Sequence, residues 1–211
     1  MALPTAVIPL NRLSQAKGRL AGALAPEERR ELALITAATV VSAARGAGLE
    51  VWLLGPDPAE LRLVAGADRY LAENARLSGL NAQLGWAIRP LESVVILHAD
   101  LPLATPDAIR RLLEAAPPSP RAMTAVESGD GGTNAMFLRP AAAFPLAYGR
   151  GSLAKHLAAA QEAGLEVAVV AIPELALDLD TPADITTLLA SVTGRESEAG
   201  RYLAARSGKL R

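Results

Sequence analysis

The sequence predicts an α/β protein of the three-layer α/β/α, Rossmann-like type, built on a mixed but mostly parallel sheet. Three observations predict it. Short apolar runs alternate with longer helix-period stretches along the chain, the order of strand–helix–strand units. The strand-like runs are almost continuously apolar, as strands covered on both faces must be. Finally, 44 alanines and 34 leucines among 211 residues, against two Trp, three Tyr and two Phe, dictate an aliphatic core rather than an aromatic one.

Residues 5–10 (TAVIPL) are too short for a helix and are stopped by Asn11 and Arg12, so they read as the first strand. A polar, glycine-broken segment follows, up to Pro26. Proline suits the first position of a helix, and Glu27 and Glu28 complement the dipole of its opening turn, so a helix is expected to about Arg45. Gly46 and Gly48 end it, and residues 50–54 (EVWLL) form a strand that runs into the breaker Gly-Pro-Asp-Pro. The grammar repeats with a helix at 80–89, a central strand at 93–98 and a helix at 106–116, broken by Pro117, Pro118 and Pro120. Strands at 121–126 and 135–138 flank the loop ESGDGGTN. A helix from about Ser152, a strand at 166–172 and a last helix from Pro182 complete one domain over residues 1–193. The polar, charged tail at 194–211 is expected to be mobile or laid loosely on the surface.

Twenty-one basic and twenty-two acidic side chains give a net charge of −1, which argues against polyanion partners, nucleic acid and anionic membranes alike. The absence of cysteine excludes disulfides, thiolate metal sites and a cysteine nucleophile, and suits the cytoplasm. Mean hydropathy is high at +0.23, yet no run approaches the about 18 apolar residues of a membrane span. Residues 1–10 carry no secretory-signal pattern, so a mature chain is expected. Monomer and homodimer both remain open.

Ligands of open parallel sheets bind at the carboxyl ends of strands, which directs attention to three aspartates. Asp100 follows the strand-like SVVILH in HADLPLATPDAI, and Asp178 and Asp180 lie in LALDLDTPADI. The two segments echo each other, with Thr105-Pro106 and Thr181-Pro182 as helix starts and Asp107 and Asp184 as first-turn acids, the latter close to a capping box. An isolated aspartate after a strand is ordinarily a turn residue. Three converging carboxylates are instead the hard oxygen ligands that Mg²⁺ takes when it bridges phosphates.

Other features at the same edge suit anions, each with a plainer alternative. Gly129, Gly131 and Gly132 let backbone amides turn inward around an acidic group, or form an ordinary hairpin turn. Tyr148-Gly149-Arg150-Gly151-Ser152 brings a serine to a helix N-terminus, as an anion donor or a cap. Lys17 and Arg19 lie in the loop after the first strand, where they suit nucleoside triphosphate phosphates or simply face solvent. No GxxxxGK[ST] or GxGxxG occurs, so neither a Walker-type site nor a dinucleotide fingerprint is present. His98 reads as a residue behind Asp100, and His156 as a surface histidine.

Six segments in order, IPLNRLSQAKGRL, GLNAQL, HADLPL, DGGTNAM, YGRGSLAKH and LALDLDTPADI, spread over residues 4–193, resemble the guanylyltransferases of deazaflavin coenzyme (F420) biosynthesis. These are the 2-phospho-L-lactate and phosphoenolpyruvate guanylyltransferases. The resemblance implies a nucleotidyltransferase fold and transfer of GMP from GTP to the phosphate of a three-carbon acid, with release of pyrophosphate. It implies that Asp100, Asp178 and Asp180 hold Mg²⁺, and that Thr133, Gly149 and Ser152 cradle the phosphorylated acid. Lys17 and Arg19 would meet GTP, with Leu80 and Asn81 near the nucleoside. Where the family often has a Val-Pro-Val-Lys type start, this chain has Pro9-Leu10-Asn11. A molybdopterin or sugar-phosphate nucleotidylyltransferase would be expected to carry a GxG first loop, which is missing, and a non-catalytic anion-binding module would not need three metal-directed carboxylates. Eighteen arginines against three lysines suggest a GC-rich genome and lean the acceptor towards phosphoenolpyruvate.

Overall fold

The computed structural model describes residues 3–206 and places seven strands in one sheet. At its centre β1 (Thr5–Pro9) pairs in parallel with β2 (Glu50–Gly55) on one side and β4 (Val94–Leu97) on the other. Outside β2 lies β3 (Arg69–Ala72), also parallel. Beyond β4 come β6 (Thr133–Arg139), β5 (Ala122–Glu127) and β7 (Glu166–Val169), giving the order β3-β2-β1-β4-β6-β5-β7. Strand β6 runs antiparallel to both neighbours, whereas β5 and β7 are parallel. Four of six pairings are therefore parallel. The reversal at β6 comes from the hairpin at 128–132, too short to hold a crossover helix.

Nine helices are described: α1 (Pro26–Gly46), α2 (Pro58–Leu61), α3 (Leu80–Ile88), α4 (Pro106–Glu114), α5 (Ser152–Glu162), α6 (Pro173–Ala176), α7 (Pro182–Ala190), α8 (Val192–Glu196) and α9 (Glu198–Ala204). Because side chains alternate along a strand, the sheet splits the core in two. Ala6, Ile8, Val95, Leu97 and Phe137 pack against α1, α4 and α6 on one face. Val7, Val94, Ile96, Met136 and Leu138 meet α3 and α5 on the other. This is the three-layer arrangement the sequence predicts. Pro26, Pro106 and Pro182 each open a helix. Thr105 Oγ1 accepts the Ala108 N–H at 3.1 Å as the expected cap, and at Thr181 the reciprocal bonds to Asp184 complete a capping box.

Two expectations need correction, and one strand is not foreseen. The predicted strand at 166–172 ends at Val169, since Pro173 opens α6. The short edge strand β3 has no apolar run to announce it, because its residues are exposed or half-buried. The tail is not loosely laid: α8 begins at Val192, so a boundary at 193 cuts through a helix. Ser191 and Ser197 cap α8 and α9 by accepting the Gly194 and Gly200 N–H at 2.9 and 3.0 Å. Both glycines permit close approach: a Cβ on Gly194 would lie 1.8 Å from the Leu188 carbonyl oxygen, and one on Gly200 1.9 Å from that of Gly194. Ala199 and Leu203 are fully buried in a third core with Leu20, Leu32, Leu179 and Leu188. Tyr202 Oη lies 3.1 Å from the Glu28 carbonyl and 2.8 Å from Glu31 Oε2, tying α9 to α1. The expectation for 207–211 falls outside the described residues. Among those described, no helix is long and apolar enough to cross a membrane.

Candidate active site

The three predicted aspartates come together. One carboxylate oxygen from each of Asp100, Asp178 and Asp180 lies within 4.8 Å of the other two, and all three residues are half-buried. Two backbone devices hold them there. The His98 N–H donates to the Asn134 carbonyl at 3.0 Å, so the sheet ladder carries Asp100 just beyond β4. The Leu179 N–H then donates to the Asp100 carbonyl at 3.1 Å, and Leu179, fully buried, anchors the segment while its flanking aspartates turn outward. Asp184 contributes more than a cap, since its Oδ2 also accepts the Asp180 N–H at 3.0 Å.

Lys17 reaches this corner across the sheet edge. Its side chain is almost fully buried, and Nζ lies 2.9 Å from Asp100 Oδ2 and 3.3 Å from Asp180 Oδ1. The backbone of Lys17 is left-handed, φ 55°, which turns the loop so that the ammonium points inward. Arg19 stays exposed, its Nη1 3.9 Å from Asp180 Oδ2. The fields follow from these contacts. Burial works to raise the Asp100 pKa, but the charge of Lys17, with His98 and the Lys17 hydrogen bond, overrides it and leaves that carboxyl below its ordinary value. Asp178 has no such cation: burial and then the charges of Asp100 and Asp180 push it upward, opposed by a hydrogen bond from Asn134. Asp100 Oδ1 is buried without a hydrogen-bond partner among the described residues. An unpartnered buried carboxylate oxygen beside two further carboxylates is a donor set that fits a hard divalent cation.

Asn134, which the sequence reading passed over, donates from Nδ2 to the Ala176 carbonyl at 3.0 Å and to Asp178 Oδ1 at 3.3 Å. Strict alternation would send it with Met136 to the α5 face. The register shift between Val126 and Glu127 instead turns Asn134 towards α6 and Thr133 towards α5, which is how a β-bulge re-aims side chains beside a site.

Thr133 and Ser152, both 1% exposed, meet through their hydroxyls at 3.2 Å. Ser152 is not the cap of α5; that place is taken by Gly151, at φ 64°. Gly149, at φ 122°, lies exposed two residues earlier. The glycine loop is a hairpin turn, its Gly131 N–H donating to the Ser128 carbonyl and its Gly132 N–H to Asp130 Oδ1, both at 3.1 Å. Those two amides are used within the turn, so of the two alternatives the loop takes the hairpin. The Leu153 N–H, donating to the Gly131 carbonyl at 3.3 Å, docks the turn on α5.

One further expectation changes, that for His156. Asn81 presents its amide to Tyr148, donating to the carbonyl at 3.1 Å and accepting the N–H at 2.7 Å, so both its polar ends clamp α3 to the 147–151 loop. Leu80 does line a cleft of about 140 Å³ with Leu10, Lys17, His98 and Asp100. His156 is not on the surface: it is fully buried, with Nε2 accepting the Ala147 N–H at 3.0 Å and Nδ1 3.1 Å from Thr133 Oγ1. The signal for it was present, because Ser152 and His156 stand four apart on one helix face. Tyr148 lies between the two histidines, its ring 5.3 Å from His98 and 4.8 Å from His156. On the other side of the aspartates opens a groove of about 1010 Å³ bordered by Arg19, Asp130, Asp178 and Asp180.

Residues 4–206 match the family model described as guanylyl transferase CofC like. The phosphoenolpyruvate guanylyltransferase of Rubrobacter xylanophilus is 42% identical over 195 residues, covering 88% of this chain and 93% of that protein. The 2-phospho-L-lactate guanylyltransferase of Methanoregula boonei is 34% identical over 214 residues, covering 98% and 94%. Among solved structures, a protein from Desulfovibrio desulfuricans G20 assigned as a nucleotide-diphospho-sugar transferase superposes with a TM-score of 0.80 at 14% identity, covering 100% of this chain and 98% of that one. A CMP:2-keto-3-deoxy-manno-octonic acid synthetase complexed with CTP superposes at 0.57 and 15% identity, over 89% and 97%. These two share the fold, and the aspartate corner lies where the sheet predicts a ligand; with the family match over nearly the whole chain, the protein belongs to the guanylyl transferase CofC-like family and is a guanylyltransferase.

Proposed function

We propose that this enzyme transfers GMP from GTP to the phosphate of phosphoenolpyruvate or 2-phospho-L-lactate, with phosphoenolpyruvate the first candidate because the more similar curated relative carries that name. The observation that carries the reading is the aspartate corner, with its ligand oxygens within 4.8 Å and a buried lysine against it. The reaction forms a bond between an acceptor phosphate oxygen and the α-phosphorus of GTP, and breaks the bond from that phosphorus to the bridging oxygen, releasing pyrophosphate. A phosphate is already an anion at neutral pH, so no general base is required; the difficulty is bringing two anions together.

The chain's residues answer that difficulty. Asp100, Asp178 and Asp180 would hold Mg²⁺, which when bound supplies positive charge to the phosphoryl oxygens. Lys17 and Arg19 would face the triphosphate, Lys17 from its buried position and Arg19 from solvent. Thr133, Ser152 and the amides near Gly149 would receive the phosphorylated acid, at the N-terminus of α5 where the helix dipole favours an anion. Leu80 would border the nucleoside, and Asn81 would hold the acceptor loop in register with α3.

The test is to incubate the protein with GTP, Mg²⁺ and each acid in turn, phosphoenolpyruvate, 2-phospho-L-lactate and 3-phosphoglycerate, and to identify products by mass spectrometry. A guanylylated acid with one pyrophosphate per turnover supports the reading. GTP left intact with every acid overturns it.

A further inference from the structure

His156 is a buried, titratable side chain that the reaction outlined above does not use, yet its hydrogen bonds have only one consistent assignment. A backbone N–H can only donate, so the Ala147 N–H at 3.0 Å requires Nε2 to be the unprotonated nitrogen. The neutral ring then carries its proton on Nδ1, where the partner is Thr133 Oγ1 at 3.1 Å. Nδ1–H must donate and Thr133 must accept. The second neighbour of Thr133 Oγ1 is Ser152 Oγ at 3.2 Å. Three protons, one on Nδ1 and two on hydroxyls, are thus shared among contacts that use only two of them. One hydroxyl proton is left over, on a pair of side chains each 1% exposed, with no third acceptor for it among the described residues. Without the Nδ1–H, a hydroxyl proton of Thr133 could turn inward, into the place of the ring, instead of remaining available to a ligand.

We propose that His156 is a positioning residue: by occupying Thr133 Oγ1 as a donor, it keeps the spare hydroxyl proton of the Thr133–Ser152 pair from turning in towards the ring and leaves it to an acidic group of the acceptor at the start of α5. The same ring holds the 147–151 loop through Ala147, next to the Asn81 clamp on Tyr148. One side chain therefore sets both the shape of the acceptor loop and the direction of its buried donor. The inference rests on Thr133 and Ser152 binding the acceptor.

The two roles of the ring can be separated by isosteres. In His156→Asn the amide nitrogen stands near the place of Nδ1 and keeps a donor for Thr133, while the acceptor for Ala147 is lost. In His156→Gln the amide oxygen reaches the place of Nε2 and keeps the loop contact, while the donor to Thr133 is lost. Steady-state kinetics with GTP, Mg²⁺ and the acid that wild type uses should give His156→Gln a KM for that acid raised about five- to tenfold, the cost of one misdirected hydrogen bond, with the KM for GTP unchanged. His156→Asn, which keeps the donor but loses the Ala147 contact, should show a clearly smaller rise in the same KM, again with the KM for GTP unchanged. Equal acceptor KM values in the two variants, or an unchanged value in His156→Gln, overturn the proposal. Should either variant fail to fold, ¹⁵N NMR of the wild-type imidazole decides instead: protonated Nδ1 with bare Nε2 is expected, and the reverse overturns the assignment. A wild-type enzyme that guanylylates none of the acids removes the functional reading and this inference together, whereas an active wild type with indistinguishable variants removes only the role of His156.

Discussion

Two regions at the same sheet edge solve opposite electrostatic problems. The aspartate corner gathers three carboxylates and balances them with Lys17 and Arg19, leaving every aspartate half-exposed. The buried cluster at the start of α5 holds Thr133, Ser152 and His156 at 1% exposure or less, and uses no formal charge. The corner rests on the third core, through Leu20 before α1 and Leu179 between Asp178 and Asp180. The cluster rests on the α3 and α5 face, through Tyr148 and Ala160. In the proposed roles, charges that hold a hydrated cation keep access to water, whereas neutral donors that receive an anion gain from burial, where a fixed hydrogen bond is worth more. β6 joins the two: Asn134 faces the corner and Thr133 the cluster, one residue apart.

The largest effect should come from breaking the corner. Asp100→Asn is expected to lower GTP-dependent pyrophosphate release by about 10²-fold or more, because a charge at the transferring phosphoryl group is lost while the fold is kept. Pyrophosphate release and thermal unfolding measured together check both halves. Next comes the support beneath it. Leu203→Ala removes a fully buried side chain from the third core and should cost about 2–4 kcal/mol, read by denaturant unfolding, without touching any site residue. A tail merely resting on the surface would show almost no change.

The buried cluster at the start of α5 should respond to pH through His156. Burial, with the charges of His98 and Lys155, pushes His156 down to about 4 in the folded state, so between pH 6.5 and 4 the unfolded chain binds the extra proton. The stability that follows from a neutral buried His156 is therefore complete above pH 6.5 and declines as pH falls towards 4, by at most about 3 kcal/mol. Unfolding curves across that window should show a shallower decline for His156→Gln than for wild type. The smallest effect belongs to Arg19, whose side chain is 73% exposed. Arg19→Ala should raise the KM for GTP only about two- to threefold, and less at high salt, because solvent screens an exposed charge.

The fold and the corner were legible because both are written in local patterns. Apolar runs such as SVVILH, the threonine-proline helix starts and the LDLD segment each state their conformation within a few residues. What stayed hidden depends on pairing or on reach. The edge strand β3 exists because β2 offers a free edge, and α8 and α9 follow from two Ser-x-x-Gly capping turns rather than from an apolar stripe. His156 looked like a surface residue because its partners, the Ala147 N–H and the Thr133 hydroxyl, are brought to it by a loop and a bulge. Asn134 looks like an ordinary polar residue until tertiary contacts commit its amide, and Asn81 reads as a nucleoside neighbour, without its clamp on Tyr148.

The central claim is that Asp100, Asp178 and Asp180 act as one divalent-cation site for GTP. Mn²⁺ binding followed by electron paramagnetic resonance, with GTP present, tests it most directly on wild type and on Asp178→Asn. The account predicts bound Mn²⁺ in wild type and an affinity at least about tenfold weaker in Asp178→Asn, in a protein with unchanged circular dichroism. Equal Mn²⁺ affinity in the two proteins would contradict it.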